Sequence, residues 1–356
     1  MALNELFSKK AIMAPMSDVN LPAFCGILKD LGCTMIYTGL LTSHGLVYQN
    51  RHTLEMISAL PEGVTFVGQI FGSVPEIMAE AASILESTGK FAAVDINMGC
   101  PVPKVVKSNA GVGLMREPEL AARIVKSVNA AVKLPVTVKM RSGWSAEEIN
   151  CIEVAKRCED AGAAAVALHP RTKAQAYSGR ADWPLVARMK ESLEIPVIGS
   201  GDISSPQDAI QKISDCGCDS VMIGRATRCD PTLPGRTQLL LDSGKLSPPP
   251  SWRDRIKIAI RHFKFHIELE GPDRGSRSLR SHLAYYIKGM SGAAAVRNKI
   301  VQIADPLMII DILNNYRDWL EREEKRADTE NKGGRSGVKE KDCKNDETIL
   351  PTSLFE

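Results

Sequence analysis

Short apolar runs recur at regular intervals along the first 225 residues of the chain. Their hydrophobic positions are nearly continuous rather than alternating, which is typical of parallel strands covered on both faces. The eight runs are Ala11–Met16, Met35–Leu40, Thr65–Phe71, Ala92–Met98, Pro135–Met140, Ala164–His169, Pro196–Ser200 and Ser220–Gly224. Amphipathic stretches predict helices between them at Val74–Thr88, Glu117–Ala131, Glu147–Ala161, Trp183–Ser192 and Pro206–Asp215.

Repeated strand–helix units predict an α/β fold, and eight of them match the length of a (β/α)8 TIM barrel, about 250 residues. An open, doubly wound sheet is the alternative. That fold carries Gly-x-Gly-x-x-Gly after its first strand, and no such motif follows Ala11–Met16. The barrel is therefore the favoured architecture.

The pattern changes after Cys229, where Pro231, Pro234 and the run Pro248-Pro249-Pro250 indicate a linker. Four helical stretches follow without strands: Trp252–Leu269, Ser276–Met290, Ala293–Ala304 and Pro306–Arg322. We predict a barrel domain over 1–240 and a smaller all-helical domain over 251–322. Residues 326–356 are charged and poor in large apolar residues, which predicts disorder.

The net positive charge of the sequence is concentrated in the predicted helical domain. The whole sequence carries a formal net charge of only +3, but 252–300 holds eleven lysine and arginine residues against four acidic ones, a net +7. Arg274, Arg277 and Arg280 repeat at helical spacing. A basic surface of this kind favours binding of the phosphate backbone of a nucleic acid. A solvated helical face with salt bridges is the competing interpretation.

Nine cysteines are present, but only Cys216 and Cys218 lie close together, so we expect no metal site. No apolar run approaches the roughly 20 residues that span a membrane, and the N-terminus lacks the pattern of a signal peptide. We therefore expect a monomeric cytoplasmic protein with reduced thiols.

Polar side chains stand near the C-terminal ends of the predicted strands. They are Gln69, Asn97, Lys139, His169, Asp202 and Arg225. The active sites of (β/α)8 barrels lie at this end, and burying so many polar groups without partners would be costly. This rim is therefore the predicted ligand site.

Glycine-containing turns follow the last two predicted strands, as Gly199-Ser200-Gly201-Asp202 and Gly224-Arg225. Glycine lets backbone amides approach a bound group, and many barrels hold a phosphate at these turns. Arg225 is suited to a bidentate phosphate contact. Together the two turns predict a phosphorylated cofactor.

The segment Asp95-Ile96-Asn97-Met98-Gly99-Cys100-Pro101 places Cys100 just beyond a buried strand. Most cysteines of this kind are inert core residues. A thiol at the reactive rim is instead a candidate nucleophile or proton donor.

These motifs resemble the tRNA-dihydrouridine synthase family from about Ala14 to Ala304. The matching segments are Ala14-Pro15-Met16, Gly68-Gln69-Ile70-Phe71-Gly72, Asn97-Met98-Gly99-Cys100-Pro101, Val138-Lys139-Met140-Arg141, His169-Pro170-Arg171-Thr172, Gly201-Asp202-Ile203 and Gly224-Arg225. The segment from Arg280 to Gly289 resembles the family's helical RNA-binding domain.

The resemblance implies FMN as cofactor and NADPH as electron source. It implies that Pro15, Met16 and Ser17 line the flavin ring, with Gln69, Lys139 and His169 at its polar edge. It assigns the phosphate end to Ser200, Gly201, Asp202, Gly224 and Arg225.

The resemblance also implies reduction of uridine in tRNA, with hydride reaching C6 of uracil and Cys100 protonating C5. The base must leave its stack to meet the flavin. Asn97, Arg171 and Tyr177 are candidates for contacting the base, and Arg274, Arg277 and Arg280 for contacting RNA.

The chain departs from the usual family pattern at Gly39, Ser200, Asp18 and Leu21, which bears on substrate position and loop geometry. Two other functions remain open. One is an FMN barrel reductase of another substrate, such as a ribosomal RNA uridine or a small enone. The other is a non-catalytic RNA-binding protein, which Cys100 and Lys139 together disfavour.

Overall fold

The computed structural model describes residues 6–333 of the chain. It contains a closed barrel of eight parallel strands and one short additional strand. The strands are β1 (Ala11–Met13), β2 (Met35–Tyr37), β3 (Leu41–Thr42), β4 (Thr65–Phe71), β5 (Phe91–Met98), β6 (Val136–Arg141), β7 (Ala165–His169), β8 (Val197–Ser200) and β9 (Ser220–Ile223). β1 pairs with both β2 and β9, and β2 pairs with β4, which closes the barrel. The fold is the α/β barrel that the sequence predicts.

Helices connect successive strands of the barrel, and one more follows the last strand. They are α1 (Pro22–Asp30), α2 (Ser43–Val47), α3 (Arg51–Ser58), α4 (Pro75–Ser87), α5 (Pro103–Lys107), α6 (Pro118–Ala131), α7 (Cys151–Asp160), α8 (Trp183–Ser192), α9 (Pro206–Cys216) and α10 (Leu233–Ser243). Several begin with proline in the first turn, where a missing N–H costs no hydrogen bond. The large core lies between the strands and these helices.

Side chains that alternate along the strands form a second, smaller core. It includes Ile12 on β1, Val67 on β4, Ala93 on β5 and Ile198 on β8, all buried. Side chains two residues apart on a strand point to the same face. The residues that follow these apolar ones by two or four positions therefore lie above them, toward the C-terminal ends of the strands.

Local geometry explains where the predicted boundaries differ from the structure. The predicted helix 147–161 begins only at Cys151, because Gly143 and Ile149 pair as an antiparallel bridge ahead of it. Pro234 lies in the first turn of α10, so part of the predicted linker is helical. The short β3 extends the sheet beside the end of β4, where Leu41 is in register with Ile70.

The chain divides into two compact units. One contains the described residues through Thr227 together with Pro231–Pro248, and the other contains Arg228–Asp230 and the residues from Pro249 onward. The second unit has the helices α11 (Trp252–Glu270), α12 (Pro272–Tyr286), α13 (Ala293–Ile300) and α14 (Pro306–Gly333). A capping box of Ser251 and Asp254 begins α11. The unit has its own apolar core, which includes Phe263, Leu283 and Leu313.

The helix α14 continues to Gly333, through residues 326–333 where the composition predicted disorder. Four of these eight residues are Arg, Ala, Glu or Lys, which are good helix formers, and Arg326 pairs with Glu323 at 3.0 Å one turn earlier. The remainder of that prediction, 334–356, lies outside the described residues. In the described part of the chain, no helix is long and apolar enough to cross a membrane.

Candidate active site

A layer of polar side chains replaces the apolar interior toward the C-terminal end of the barrel. It includes Gln69 on β4, Asp95 and Asn97 on β5, Thr137 and Lys139 on β6, and His169 on β7. Strand register brings them together, since Gln69 is in register with Asp95 and Asn97 is in register with Lys139. The alternation of side chains along each strand and the parallel pairing of neighbouring strands therefore bring these polar groups together on one rim.

Four of these side chains form one buried hydrogen-bond chain. The Thr137 hydroxyl donates to Asp95 Oδ1 at 2.6 Å, and Gln69 Nε2 donates to Asp95 Oδ2 at 2.7 Å. Asn97 Nδ2 in turn donates to Gln69 Oε1 at 2.8 Å. Burial raises the pKa of Asp95 to about 6, opposed by the two hydrogen bonds and by the charge of Lys139. Its carboxylate is therefore the charged form at pH 7.

The turn that carries Cys100 is held by Asn97. Asn97 Oδ1 accepts hydrogen bonds from the backbone N–H groups of Gly99 at 3.1 Å and Cys100 at 2.9 Å. The Val112 N–H donates to the Cys100 carbonyl at 3.1 Å. A Cβ at Gly111, whose φ is +60°, would lie 2.7 Å from that carbonyl oxygen, so glycine is needed for this contact.

The environment of Cys100 bears on the two roles that its position suggests. The residue is 8% exposed and packs with Val105 and Ala110. Burial raises the pKa of its thiol, although the positive charges of Arg141 and Lys139 act in the opposite direction. The protonated thiol is favoured at neutral pH, which suits a proton donor better than a thiolate nucleophile.

Lys139 and His169 differ in protonation state on this rim: Lys139 is a cation and His169 is neutral. Burial, and secondarily the charge of Arg141, lowers the pKa of Lys139 to about 8, so the ammonium form still dominates at pH 7. Burial and the surrounding cations lower the pKa of His169 to about 2. Arg171 Nη1 lies 3.3 Å from His169 Nε2 and has only protons to offer, so this nitrogen accepts and Nδ1 carries the proton.

Arg171 lies beneath the rim rather than on it. Its side chain is 2% exposed, and its Nη2 donates to both carboxylate oxygens of Asp202, at 2.9 and 2.7 Å. It also donates to the carbonyls of Ser178 and Gly179. These contacts favour a structural role for Arg171, in place of the base contact that the sequence suggested.

Asp202 and Arg225 meet at the ends of β8 and β9. Arg225 Nη2 lies 3.4 Å from Asp202 Oδ1. Burial alone would raise the pKa of Asp202, but the Ala181 N–H and the Arg171 guanidinium keep it below its usual value. Asp202 is thus a charged anchor for Arg225, and Arg225 is the member of the pair that can face a phosphate.

Tyr177 stands on the same rim, 55% exposed. The guanidinium carbons of Arg225 and Arg141 lie 4.6 and 5.5 Å from its ring centre, and its ring centre is 6.4 Å from that of His169. An exposed aromatic ring between two cations offers a stacking face to a planar ligand.

Arg141 and Asp95 belong to this site although neither was a predicted site residue. Arg141 Nε donates to the Gly99 carbonyl at 3.0 Å, and its Nη1 donates to the carbonyls of Thr172 and Ala176. It therefore ties the Cys100 turn to the loop that carries Tyr177. Asp95 precedes the predicted site residue Asn97 by two positions, and Arg141 follows Lys139 by two. Residues two apart on a strand share a face, so this spacing could have identified both.

The remaining predicted positions are distributed along the rim and in the second unit. Pro15 and Met16 are half-buried and Ser17 is exposed after β1, while Ser200 is buried at the end of β8. In the helical unit, Arg274 and Arg277 are exposed on α12, and Arg274 Nε pairs with Glu270 at 3.0 Å. Arg280 is half-buried, and its Nη1 donates to the Ile303 carbonyl at 3.3 Å.

The comparison with known proteins explains this combination of residues. The profile of the family described as "Dihydrouridine synthase (Dus)" matches residues 12–320, most of the chain. The chain belongs to the dihydrouridine synthase family. It is 34% identical over 318 residues to "Probable tRNA-dihydrouridine synthase" of Rickettsia bellii, covering 89% of this chain and 97% of that protein. It is 36% identical over 311 residues to "tRNA-dihydrouridine synthase B" of Xanthomonas campestris, covering 87% and 93%.

Solved structures support the fold of this dihydrouridine synthase family member. A complex of 2-naphthoyl-CoA reductase with 2-naphthoyl-CoA superimposes with a TM-score of 0.50 at 15% identity, over 63% of this chain and 47% of that one. At this level of identity the likeness concerns the barrel architecture only. The family resemblance that the sequence motifs indicated is thus confirmed, and so is the barrel.

Proposed function

We propose that this chain is a tRNA-dihydrouridine synthase that reduces the C5=C6 bond of uridine, with FMN as cofactor and NADPH as reductant. The observation that carries the proposal is the position of Cys100 on the barrel rim, in a turn held by Asn97, which is in register with Lys139 on the next strand. Burial raises the pKa of the Cys100 thiol, which favours the proton-donating form. The names of the similar proteins give the substrate class.

The residues at the rim fit a flavin mononucleotide. Gly201 has a φ of +119°, and a Cβ there would lie 3.0 Å from Ala181 and His169, so glycine is needed for the turn that leads from β8 to Asp202. Arg225, anchored by Asp202, supplies the cation for a phosphate. Pro15, Met16 and Ser17 would line the ring, while Ser200 and Gly224 would flank the phosphate. Lys139 and the Nδ1–H of His169 offer donors to its polar edge.

Bound FMN, once reduced by NADPH, would supply the hydride that reaches C6 of uracil. The Cys100 thiol then gives its proton to C5, and solvent restores it. Lys139 stabilises negative charge at the cofactor edge, and Asn97 and Tyr177 orient the base. Gln69 is fully buried and makes hydrogen bonds to Asp95 and Asn97, so it joins the cofactor edge to the Cys100 turn.

The helical unit would provide the RNA contact, through Arg274 and Arg277 on the exposed side of α12. Arg280 contributes charge while its Nη1 is bonded to a carbonyl. A monomeric state and a cytoplasmic location belong to the same proposal.

The test is reduction of bound flavin by NADPH, followed with and without tRNA. The proposal expects flavin reduction without RNA and reoxidation of the reduced flavin by added tRNA. Reoxidation by a small enone but not by tRNA would indicate a barrel reductase of another substrate. A protein that binds RNA but cannot be reconstituted with FMN would be non-catalytic.

A further inference from the structure

The hydrogen-bond chain beneath Cys100 begins at Asp95, which contacts neither Cys100 nor the rim surface. Asp95, Gln69 and Thr137 are at most 1% exposed, so bulk solvent does not reach their side chains. This series of hydrogen bonds ends on the backbone N–H groups of Gly99 and Cys100. Asp95 is thus connected to the thiol-bearing turn through two successive side-chain amides.

Both ends of this hydrogen-bond series require the same orientation of the two amides, and Asp95 is the end that holds Gln69. An amide side chain can turn by 180°, exchanging its donor and acceptor with little change in shape. An ionised carboxylate only accepts, so Gln69 must turn its NH2 toward Asp95 and its oxygen toward Asn97. Asn97 must then turn its own NH2 toward Gln69, which leaves Oδ1 facing the two N–H groups of the turn.

The reverse orientation would place the Asn97 NH2 against two backbone donors. Those buried N–H groups would lose their acceptor, and an unsatisfied buried donor is costly. The position of the Cys100 turn is therefore coupled to the presence of an acceptor at residue 95.

We propose that Asp95 is a positioning residue, which fixes both amides through its acceptor oxygen and thereby holds Cys100 where it delivers its proton. The role assigned to Cys100 rests on the proposed function. The coupling from Asp95 to the turn is a property of the fold and can be measured separately.

Asp95 also has a negative charge that favours the protonated form of Lys139. Asp95→Asn separates the two effects. Its Oδ1 can still accept from Gln69 while its Nδ2 donates to the Thr137 hydroxyl, which is able to accept. This variant keeps the acceptor and removes the charge. Asp95→Leu has the same number and branching of side-chain heavy atoms and removes both.

The experiment compares these two variants with Val94→Ala, a matched control. Val94 is buried on the same strand but faces the outer core, so its truncation weakens the barrel without changing the hydrogen bonds that run from Asp95 to the Cys100 turn. The first measurement is kcat and KM for dihydrouridine formation in tRNA, per bound flavin. The second is the rate at which iodoacetamide alkylates Cys100, read by peptide mass spectrometry. Cys229, partly exposed in the other unit, is the internal reference.

Asp95→Leu is expected to lower kcat by roughly 100-fold, the effect of a small misplacement of a reacting group, with little change in KM. Its Cys100 should alkylate about tenfold faster, as expected when a net hydrogen bond is lost from the closed turn. Val94→Ala should stay within about threefold of the wild type in both measurements. Asp95→Asn should stay within about threefold of the wild type in the alkylation rate, which reads the turn, while its kcat also reflects the charge lost beside Lys139. Should Asp95→Leu not fold, Asp95→Val provides the same loss of an acceptor in a residue that strands favour.

Unchanged kcat and alkylation in Asp95→Leu would overturn the proposal, since Asp95 would then only fill space. An Asp95→Asn variant whose Cys100 alkylates as fast as that of Asp95→Leu would assign the effect to charge and also overturn it. Failure of the wild type to form dihydrouridine would refute the proposed function instead, while the alkylation rates would still decide the coupling.

Discussion

Asp202→Asn removes the charge that neutralises the buried Arg171 guanidinium. Asparagine tolerates the left-handed backbone of Asp202, whose φ is +52°, so the substitution adds little backbone strain. Breaking a buried ion pair by removing one partner costs about 3–5 kcal/mol. The Asp202 side chain is 34% exposed, and Arg171 keeps the carbonyls of Ser178 and Gly179, so both facts reduce that cost. We expect a loss of about 2 kcal/mol in the stability of the barrel.

The assay is urea denaturation at pH 7.5, monitored by hydrogen exchange in barrel peptides covering residues 165–203 so that the helical unit does not contribute. Glu148→Gln is the matched control. Its partner Arg116 lies 3.8 Å away and both side chains are at least half exposed, so the loss should be below about 0.5 kcal/mol. A loss in Asp202→Asn no larger than that of the control would refute the anchoring role of this pair.

Three further predictions concern the thiol, the basic helix and the buried histidines. Cys100→Ala should leave flavin content and NADPH oxidation by oxygen intact while dihydrouridine formation falls by about 10²–10⁴-fold, and unchanged formation would assign the proton to another group. Replacing Arg274, Arg277 and Arg280 together by alanine should weaken tRNA binding. It should also flatten the salt dependence of that binding by roughly 0.7–0.9 log units per lost phosphate contact. An unaltered salt dependence in a variant that still folds would show that these arginines only form a solvated helical face. Burial lowers the pKa of His282 to about 3 in the folded helical unit. The unfolded chain therefore binds this proton more tightly, and His282 should account for about 2 kcal/mol of the stability that the unit loses between pH 7 and 5. Burial also lowers the pKa values of His262 and His266, so His282→Gln should remove only the His282 share of that loss in denaturation curves at the two pH values.

The repeating elements of the barrel could be predicted because each run is locally consistent. The predicted helix Trp183–Ser192 and the strand Thr65–Phe71 have the same bounds in the structure. Short elements such as α2 and β3 were missed, since five or fewer residues carry too little periodicity to be recognised. The continuation of α14 to Gly333 was missed because charged residues that disfavour a core also favour an isolated helix.

Strand-end position identified most of the candidate site but not the roles within it. Lys139, His169 and Cys100 were predicted from where their strands end, and the structure brings them to one rim. The burial of Arg171 follows from a contact with Asp202, 31 residues later, which no local pattern contains. Likewise, the part played by Asp95 depends on hydrogen bonds between three strands, and sequence spacing gives no information on their direction.

The central claim is that this chain forms dihydrouridine in tRNA through Cys100. Its most direct test is mass spectrometric mapping of uridines in unmodified tRNA after incubation with the purified protein, FMN and NADPH. The account predicts a gain of two hydrogens, about 2 Da, at specific uridines with the wild type and a loss of this product by 10²–10⁴-fold with Cys100→Ala. Flavin-loaded wild-type protein that oxidises NADPH yet leaves every uridine unreduced would contradict it.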